Sequence, residues 1–178
     1  MFARTERLLL RPGWAEDAPA LARAIADEAI VRNLGTAPWP YGEAEAHEFL
    51  AKPQDIVLPR FVLLRRTDGE PELIGAAGFD RSPSGAVEIG YWIARAHWGR
   101  GYATEACRQL VEIARTIGLD RLEASHFIDN PASGRVLEKL GFRPTGRTAP
   151  RHSCARNGEQ LARLFTLDLG CEERVLAA

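Results

Sequence analysis

Cysteine is scarce in this chain. Cys107, Cys154 and Cys171 are the only three among 178 residues, they are widely spaced, and no CxxC occurs. That argues against a disulfide framework and against a structural zinc site. The histidines His47, His97, His126 and His152 also lack metal-ligand spacing, so no metal is expected. Charge of one sign is missing as well. The formal net charge is −1, so there is no basic field to attract nucleic acid and no acidic tail. No apolar run approaches the ~20 residues that cross a bilayer, so no membrane partner is expected. The opening MFARTERLLLRPG has a short apolar run but no signal-peptide stretch or cleavage site, and the expected location is the cytoplasm. Two nucleotide signatures are absent too: GxxxxGK followed by Ser or Thr, and GxGxxG after the first strand. Repeats, low-complexity segments and linkers are not found.

What is present is ordinary for a soluble domain, with 46% hydrophobic and 26% charged residues. The most informative stretch is 86–106, AVEIGYWIARAHWGRGYATEA. Val87, Ile89, Tyr91 and Ile93 alternate with Glu88, Gly90 and Trp92, which predicts a buried strand. Gly99 and Gly101 bracket Arg100, and a helical pattern begins at Tyr102. A glycine loop that opens a helix exposes unpaired N–H groups at the positive end of the helix dipole. Such a loop suits a phosphate or pyrophosphate.

Along the chain, residues 5–12 read as a strand ended by Pro12, and 14–28 as an amphipathic helix capped near Asp17. Residues 33–42 are turn-rich and apolar; Trp39 and Tyr41 there either line a substrate pocket or plug the end of the core. A short helix over 43–51 stops at Pro53. Strands over 60–66, 73–80 and 87–93, joined by turns at 67–71 and 82–85, predict an antiparallel meander. A helix over 104–118 ends at Gly118, with Cys107 a small core residue inside it. A strand over 122–128 leads through Asp129-Asn130-Pro131 into a helix over 132–140, with Pro131 at its first position. Strands over 142–148 and 161–169 close the chain around a loop, 149–158. There Cys154 stands near His152, without an oriented base and acid to make it a nucleophile. The expectation is one α+β domain over 1–178, with a mixed, mostly antiparallel sheet of about seven strands and about four helices.

The segment NPASGRVLEKLGF, residues 130–142, sharpens this reading. Together with IGYWI and HWGRGYATEA it resembles the GNAT superfamily of acetyl-CoA-dependent N-acetyltransferases, and most of all its Rim-type, ribosomal-protein N-terminal branch. The resemblance spans nearly the whole chain. It implies a GNAT fold whose sheet splays at a cofactor cleft, with acetyl-CoA as the acetyl donor. The family's Q/R-x-x-G-x-G/A stretch, which donates main-chain N–H groups to the pyrophosphate, falls on Trp98, Gly99, Arg100, Gly101, Tyr102 and Ala103. Trp98 stands where the family usually has Gln or Arg, and Thr104 adds a hydroxyl. The resemblance implies that the pantetheine arm pairs with the strand end at Ile93 and Ala94 and meets Asn130. Ser133 would lie near the sulfur. Arg100, Arg135, Lys139 and Arg143 are candidates to meet phosphates, or else are solvated surface charges.

Acetyl transfer to an amine needs a base, a polarised carbonyl and a proton for the leaving thiolate. Glu88, a carboxylate on a central strand, is the candidate base; the alternative is a structural partner for a buried Arg. Where many relatives carry a Tyr acid, this chain has Leu137, and Ser133 is the substitute, unless it only caps its helix. His126 either contacts the substrate or is a hydrogen-bonded structural residue. The expected reaction is direct transfer to a primary amine, a protein N-terminus or else a small amine, with a homodimer possible. A reading of another class is a non-catalytic acyl-CoA-binding sensor or assembly domain.

Overall fold

The computed structural model describes residues 1–82 and 85–170; Cys171 and the middle of the 82–85 turn lie outside them. The strands are β1 (Ala3–Arg4), β2 (Leu8–Arg11), β3 (Arg60–Arg65), β4 (Glu72–Arg81), β5 (Val87–Ile93), β6 (Arg121–Phe127), β7 (Arg143–Ser153) and β8 (Gly158–Asp168). The helices are α1 (Ala18–Ile25), α2 (Glu28–Val31), α3 (Glu43–Ala51), α4 (Tyr102–Thr116) and α5 (Pro131–Lys139). The strands form one mixed sheet in the order β1-β2-β3-β4-β5-β6-β8-β7. The meander β3-β4-β5 is antiparallel as expected. Only β5 and β6 run parallel. The arrangement is α+β as expected, with eight strands and five helices among the described residues where about seven and about four were expected.

Strand alternation divides the core into two layers. Leu8, Leu10, Phe61 and Leu63 point to one face, where α4 packs with Ala106, Cys107, Leu110, Val111 and Ala114. Leu9, Val62 and Leu64 point to the other, against Leu21, Ala22 and Ile25 of α1 and Ala46 of α3. Each fully buried leucine, such as Leu110, contributes about 2–3 kcal/mol of burial.

Several boundaries depart from the expected ones for local reasons. The strand expected over 5–12 is interrupted because Thr5 turns the chain: its Oγ1 accepts from the Leu8 N–H (3.0 Å), and its own N–H donates to the Leu8 carbonyl (2.9 Å). The helix expected to reach residue 28 stops at Ile25. Asp27 then caps the short α2, its carboxylate accepting from the Ala29 N–H at 2.8 Å. The expected loop over 149–158 is mostly strand. β7 pairs with β8 from Arg143 to Ser153 and turns through Cys154–Arg156. Pro144 and Pro150 disguised it, but β7 is an edge strand, where a missing N–H on the open side costs nothing.

Candidate active site

β5 and β6 share a single register pair, Glu88 with Glu123, and part beyond it. The space between them opens into a cleft of about 800 Å³. The Ala94 N–H is spent on the Ile74 carbonyl (2.7 Å), which fixes the parity of β5. Alternation then turns the main-chain groups of Ile89, Tyr91 and Ile93 toward the cleft.

At one end of the cleft lies the glycine loop. Gly101 takes a left-handed conformation (φ 82°) as it enters α4, a backbone that side-chain-bearing residues adopt only at a cost. The first-turn N–H groups of Tyr102, Ala103 and Thr104 lack helical partners at this end. Trp98, Gly99, Gly101, Tyr102, Ala103 and Thr104 all line the cleft; Ala94 and Arg100 do not. Trp98 has a definite local task, since its indole N–H donates to the Ile93 carbonyl at 2.6 Å and ties the loop to the end of β5. That carbonyl and the Ala94 N–H therefore already have partners. Ile93 itself lines the cleft together with Ile89 and Tyr91.

Glu105 occupies the first turn of α4, where its charge would oppose a bound anion. It is turned away and neutralised instead. Its carboxylate accepts from the Thr5 hydroxyl (2.6 Å), the Arg7 N–H (2.8 Å) and Arg7 Nε (2.7 Å). Burial alone would raise its pKa, but the bonds from Thr5 and Arg7 outweigh that and hold it below the usual carboxylate value. Arg7 also donates to the Arg100 carbonyl (3.0 Å), and its guanidinium lies 4.4 Å from the Tyr102 ring centroid. Arg7 thus braces the loop from behind, a contact invisible in the spacing of the sequence.

The middle of the cleft holds Asn130, Ser133, Arg135 and Lys139 from the start and one face of α5. The Asn130 side chain makes no capping bond and remains available to the cleft. Ser133 Oγ lies 2.8 Å from the hydroxyl of Tyr91, which also donates to the Ser133 carbonyl at 3.2 Å. Burial pushes the Tyr91 pKa well above that of a free phenol, Cys107 adds to the rise, and the Ser133 bond offsets only part of it. Tyr91 therefore stays a proton donor at any working pH. In the sequence Tyr91 reads as one more alternating strand residue. The signal was there, since a tyrosine on a buried aliphatic strand needs a partner for its hydroxyl.

At the other end stand Glu88, Ser125, His126, Arg151 and His152. Ser125 donates to Glu88 Oε1 at 2.6 Å, and Arg151 approaches Glu88 Oε2 at 3.7 Å. His126 is buried, with Nδ1 2.8 Å from the Phe127 carbonyl and its ring 5.4 Å from that of Phe165. A Cβ on Gly134 would fall 2.7 Å from His126 Nε2, so α5 can pass over the ring only with glycine there. Neither Trp39 nor Tyr41 lines the cleft. Tyr41 is in the second core layer, donating to the Glu45 carbonyl (3.2 Å), and Trp39 is exposed on the surface. Arg143 lies at the start of β7 and does not line the cleft either.

The wall at this end comes from three distant segments. Arg156 donates to both oxygens of Asp129 (2.8 and 2.9 Å) and to the Arg32 carbonyl (2.6 Å), over the Phe127 ring at 4.6 Å. Ser153 donates to the same Arg32 carbonyl at 3.2 Å, and the Cys154 N–H reaches the Gly35 carbonyl at 3.1 Å. Cys154 Sγ lies 3.6 Å from His152 Nε2, while Cys107 is buried in the core. Among the described residues no cluster of three His, Cys, Asp or Glu side chains could hold a metal, and no helix is long and apolar enough to cross a membrane.

A sheet parted beside a glycine loop that opens a helix is the arrangement that the GNAT resemblance in the sequence implies. Residues 7–143 match the family model described as acetyltransferase (GNAT) domain, and the chain belongs to that family. It is 33% identical over 150 residues to the uncharacterized N-acetyltransferase p20 of Bacillus licheniformis, covering 80% of this chain and 82% of that protein. Among solved structures it superposes on a GNAT-family acetyltransferase from Bacillus anthracis with a TM-score of 0.76 and 24% identity, over 95% of this chain and 99% of that one. The ribosomal-protein alpha-N-acetyltransferase RimL, solved in complex with coenzyme A, superposes with a TM-score of 0.76 and 17% identity, over 94% and 98% of the two chains. The Rim-type resemblance seen in the sequence accords with 36% identity over 76 residues, 41% of this chain and 42% of that protein, to the ribosomal-protein-serine acetyltransferase of Escherichia coli.

Proposed function

We propose that the enzyme transfers an acetyl group from acetyl-CoA directly to a primary amine, with Glu88 and the Tyr91–Ser133 pair flanking the reacting atoms. The carrying observation is their arrangement around the opening between β5 and β6. A carboxylate held by Ser125 stands on one side, and a hydrogen-bonded phenol and hydroxyl bridge β5 and α5 on the other. In this reading the N–H groups opening α4 hold the pyrophosphate, with Arg135 and Lys139 nearby. The pantetheine lies along the open edge of β5 and against Asn130.

Glu88 takes a proton from the acceptor ammonium, directly or through water. The amine lone pair attacks the thioester carbon, whose oxygen is polarised by a main-chain N–H of β5. The C–S bond then breaks, sulfur receives a proton from Tyr91 or from Ser133, which Tyr91 supports, and the extra proton on the acetylated nitrogen restores that hydroxyl. Among the described residues no thiol is placed to carry the acetyl group: Cys107 is in the core and Cys154 does not line the cleft. The acceptor class is a protein N-terminal amine or a small amine. The likeness to RimL, a ribosomal-protein alpha-N-acetyltransferase, supports the first. Release of free thiol from acetyl-CoA, followed with a panel of amines and peptides, tests the reading. Tight acetyl-CoA binding without turnover on any acceptor would overturn it.

A further inference from the structure

The acceptor end of the cleft contains one guanidinium that is poorly matched. Arg151 projects from β7, lines the cleft, and is only 24% exposed in its side chain. Its Nε is buried and has no hydrogen-bond partner. Its nearest acidic group, Glu88 Oε2, is 3.7 Å away, too far for a hydrogen bond. The neighbouring Arg156 is by contrast fully engaged, by both oxygens of Asp129, the Arg32 carbonyl and Asn33 (3.2 Å). A half-buried guanidinium with unspent donors is costly unless an anion meets it.

Glu88 and Arg151 together present a negative and a positive group 3.7 Å apart toward the same space. The complementary partner carries its own opposite charges equally close. We infer that the acceptor amine bears a carboxylate one or two carbons away, and that Arg151 binds it while Glu88 receives the ammonium. This rests on the acetyl-transfer reading above and narrows its acceptor. An amine followed by a neutral amide leaves Arg151 unmatched. A substrate carboxylate also takes over as the counter-ion of Arg151, releasing Glu88 to act on the ammonium. Two sources share this chemistry: a free amino acid, and a polypeptide whose first residue is Asp.

Thiol release from acetyl-CoA is compared within matched pairs: a free amino acid against its amide, and a peptide beginning with Asp against the same peptide beginning with Asn. The expected result is a kcat/KM at least about tenfold higher for the carboxylate-bearing member of one or both pairs, and which pair shows it identifies the source. Arg151→Gln abolishes the preference with the acetyl-CoA KM unchanged, and Arg151→Lys keeps part of it. A melting curve and its shift on adding acetyl-CoA establish that each variant is folded; if Arg151→Gln is not, the wild-type preference and Arg151→Lys decide. Equal use of both members of each pair, or a preference that survives in folded Arg151→Gln, overturns the proposal and leaves the acetyltransferase reading intact. Absence of turnover with every acceptor counts against both.

Discussion

At its loop end the cleft offers main-chain N–H groups from three consecutive residues, Tyr102–Thr104, fixed by a left-handed glycine and a helix start. At its far end it offers side chains, Glu88, Ser125 and Arg151, gathered from three strands and walled by contacts such as Arg156 to Arg32, 124 residues apart. On the proposed reading, the first kind of site meets a group that every donor molecule carries. It needs only a short stretch with the right conformation and tolerates Trp98 in place of a Gln or Arg. The second depends on distances between charges, so it can select among acceptors and can be retuned by single substitutions. The two ends should therefore fail differently.

Glu88→Gln is the largest break expected: kcat falls by about 10²–10⁴ while the acetyl-CoA KM stays put, measured by steady-state thiol release. A kcat within a factor of a few of wild type would take Glu88 out of the chemistry. Gly101→Val acts at the opposite end. Forcing a branched residue to φ 82° costs about 1–2 kcal/mol or more, so acetyl-CoA affinity drops roughly tenfold in a binding titration, with acceptor selectivity kept. Tyr91→Phe and Ser133→Ala test the shared proton donor between the ends. Each lowers kcat by about tenfold, and the double variant is little worse than the worse single one, because the two hydroxyls serve one proton. Full multiplication of the two losses would separate their roles.

The smallest effect concerns Glu105 and pH. Its folded-state pKa lies below the unfolded one, so the stability it contributes is complete above the ordinary carboxylate pKa and is lost as pH falls through the lowered value. Arg7→Met removes the guanidinium bond and ion pair that lower it and keeps the main-chain one. Melting curves between about pH 6 and 3 should then show a smaller acid loss of stability than in wild type, completed at higher pH, because the unfolded pKa that sets its onset is unchanged. The variant should also bind acetyl-CoA a few-fold more weakly, with a smaller loss for a pantetheine thioester lacking the pyrophosphate. Equal losses for both donors would mean that Arg7 supports the fold and not the loop.

The loop end was legible in the sequence because its signals are local. Gly99 and Gly101 punctuate the chain, α4 shows a helical apolar period, and Asn130-Pro131 opens α5. Cys107 and the meander were readable for the same reason. The acceptor end was not. Asp129, Arg151 and Arg156 look like ordinary surface charges until β7 is recognised as an edge strand that tolerates two prolines. Its contacts close over sequence separations that no periodicity records. Trp39 and Tyr41 drew attention by their aromatic rings, yet one is exposed and the other is core. Tyr91 was concealed by regular alternation, which explains a strand residue's burial but not the partner of its hydroxyl.

The single register pair between β5 and β6 has a mechanical meaning. The sheet is two panels, β1–β5 and β6–β8 with β7, that share main-chain pairing only at Glu88 and Glu123. Ile93 lies five residues along β5 from that pair, an arm of about 16 Å at the usual rise. On such an arm a tilt of about 3–4° between the panels moves the far edge by about 1 Å. The width of the gap at the loop is therefore set largely at its closed end. Glu88 stands on that pivot, bonded to Ser125 of the facing strand, so a larger or smaller side chain there alters the aperture, which the isosteric Gln leaves in place.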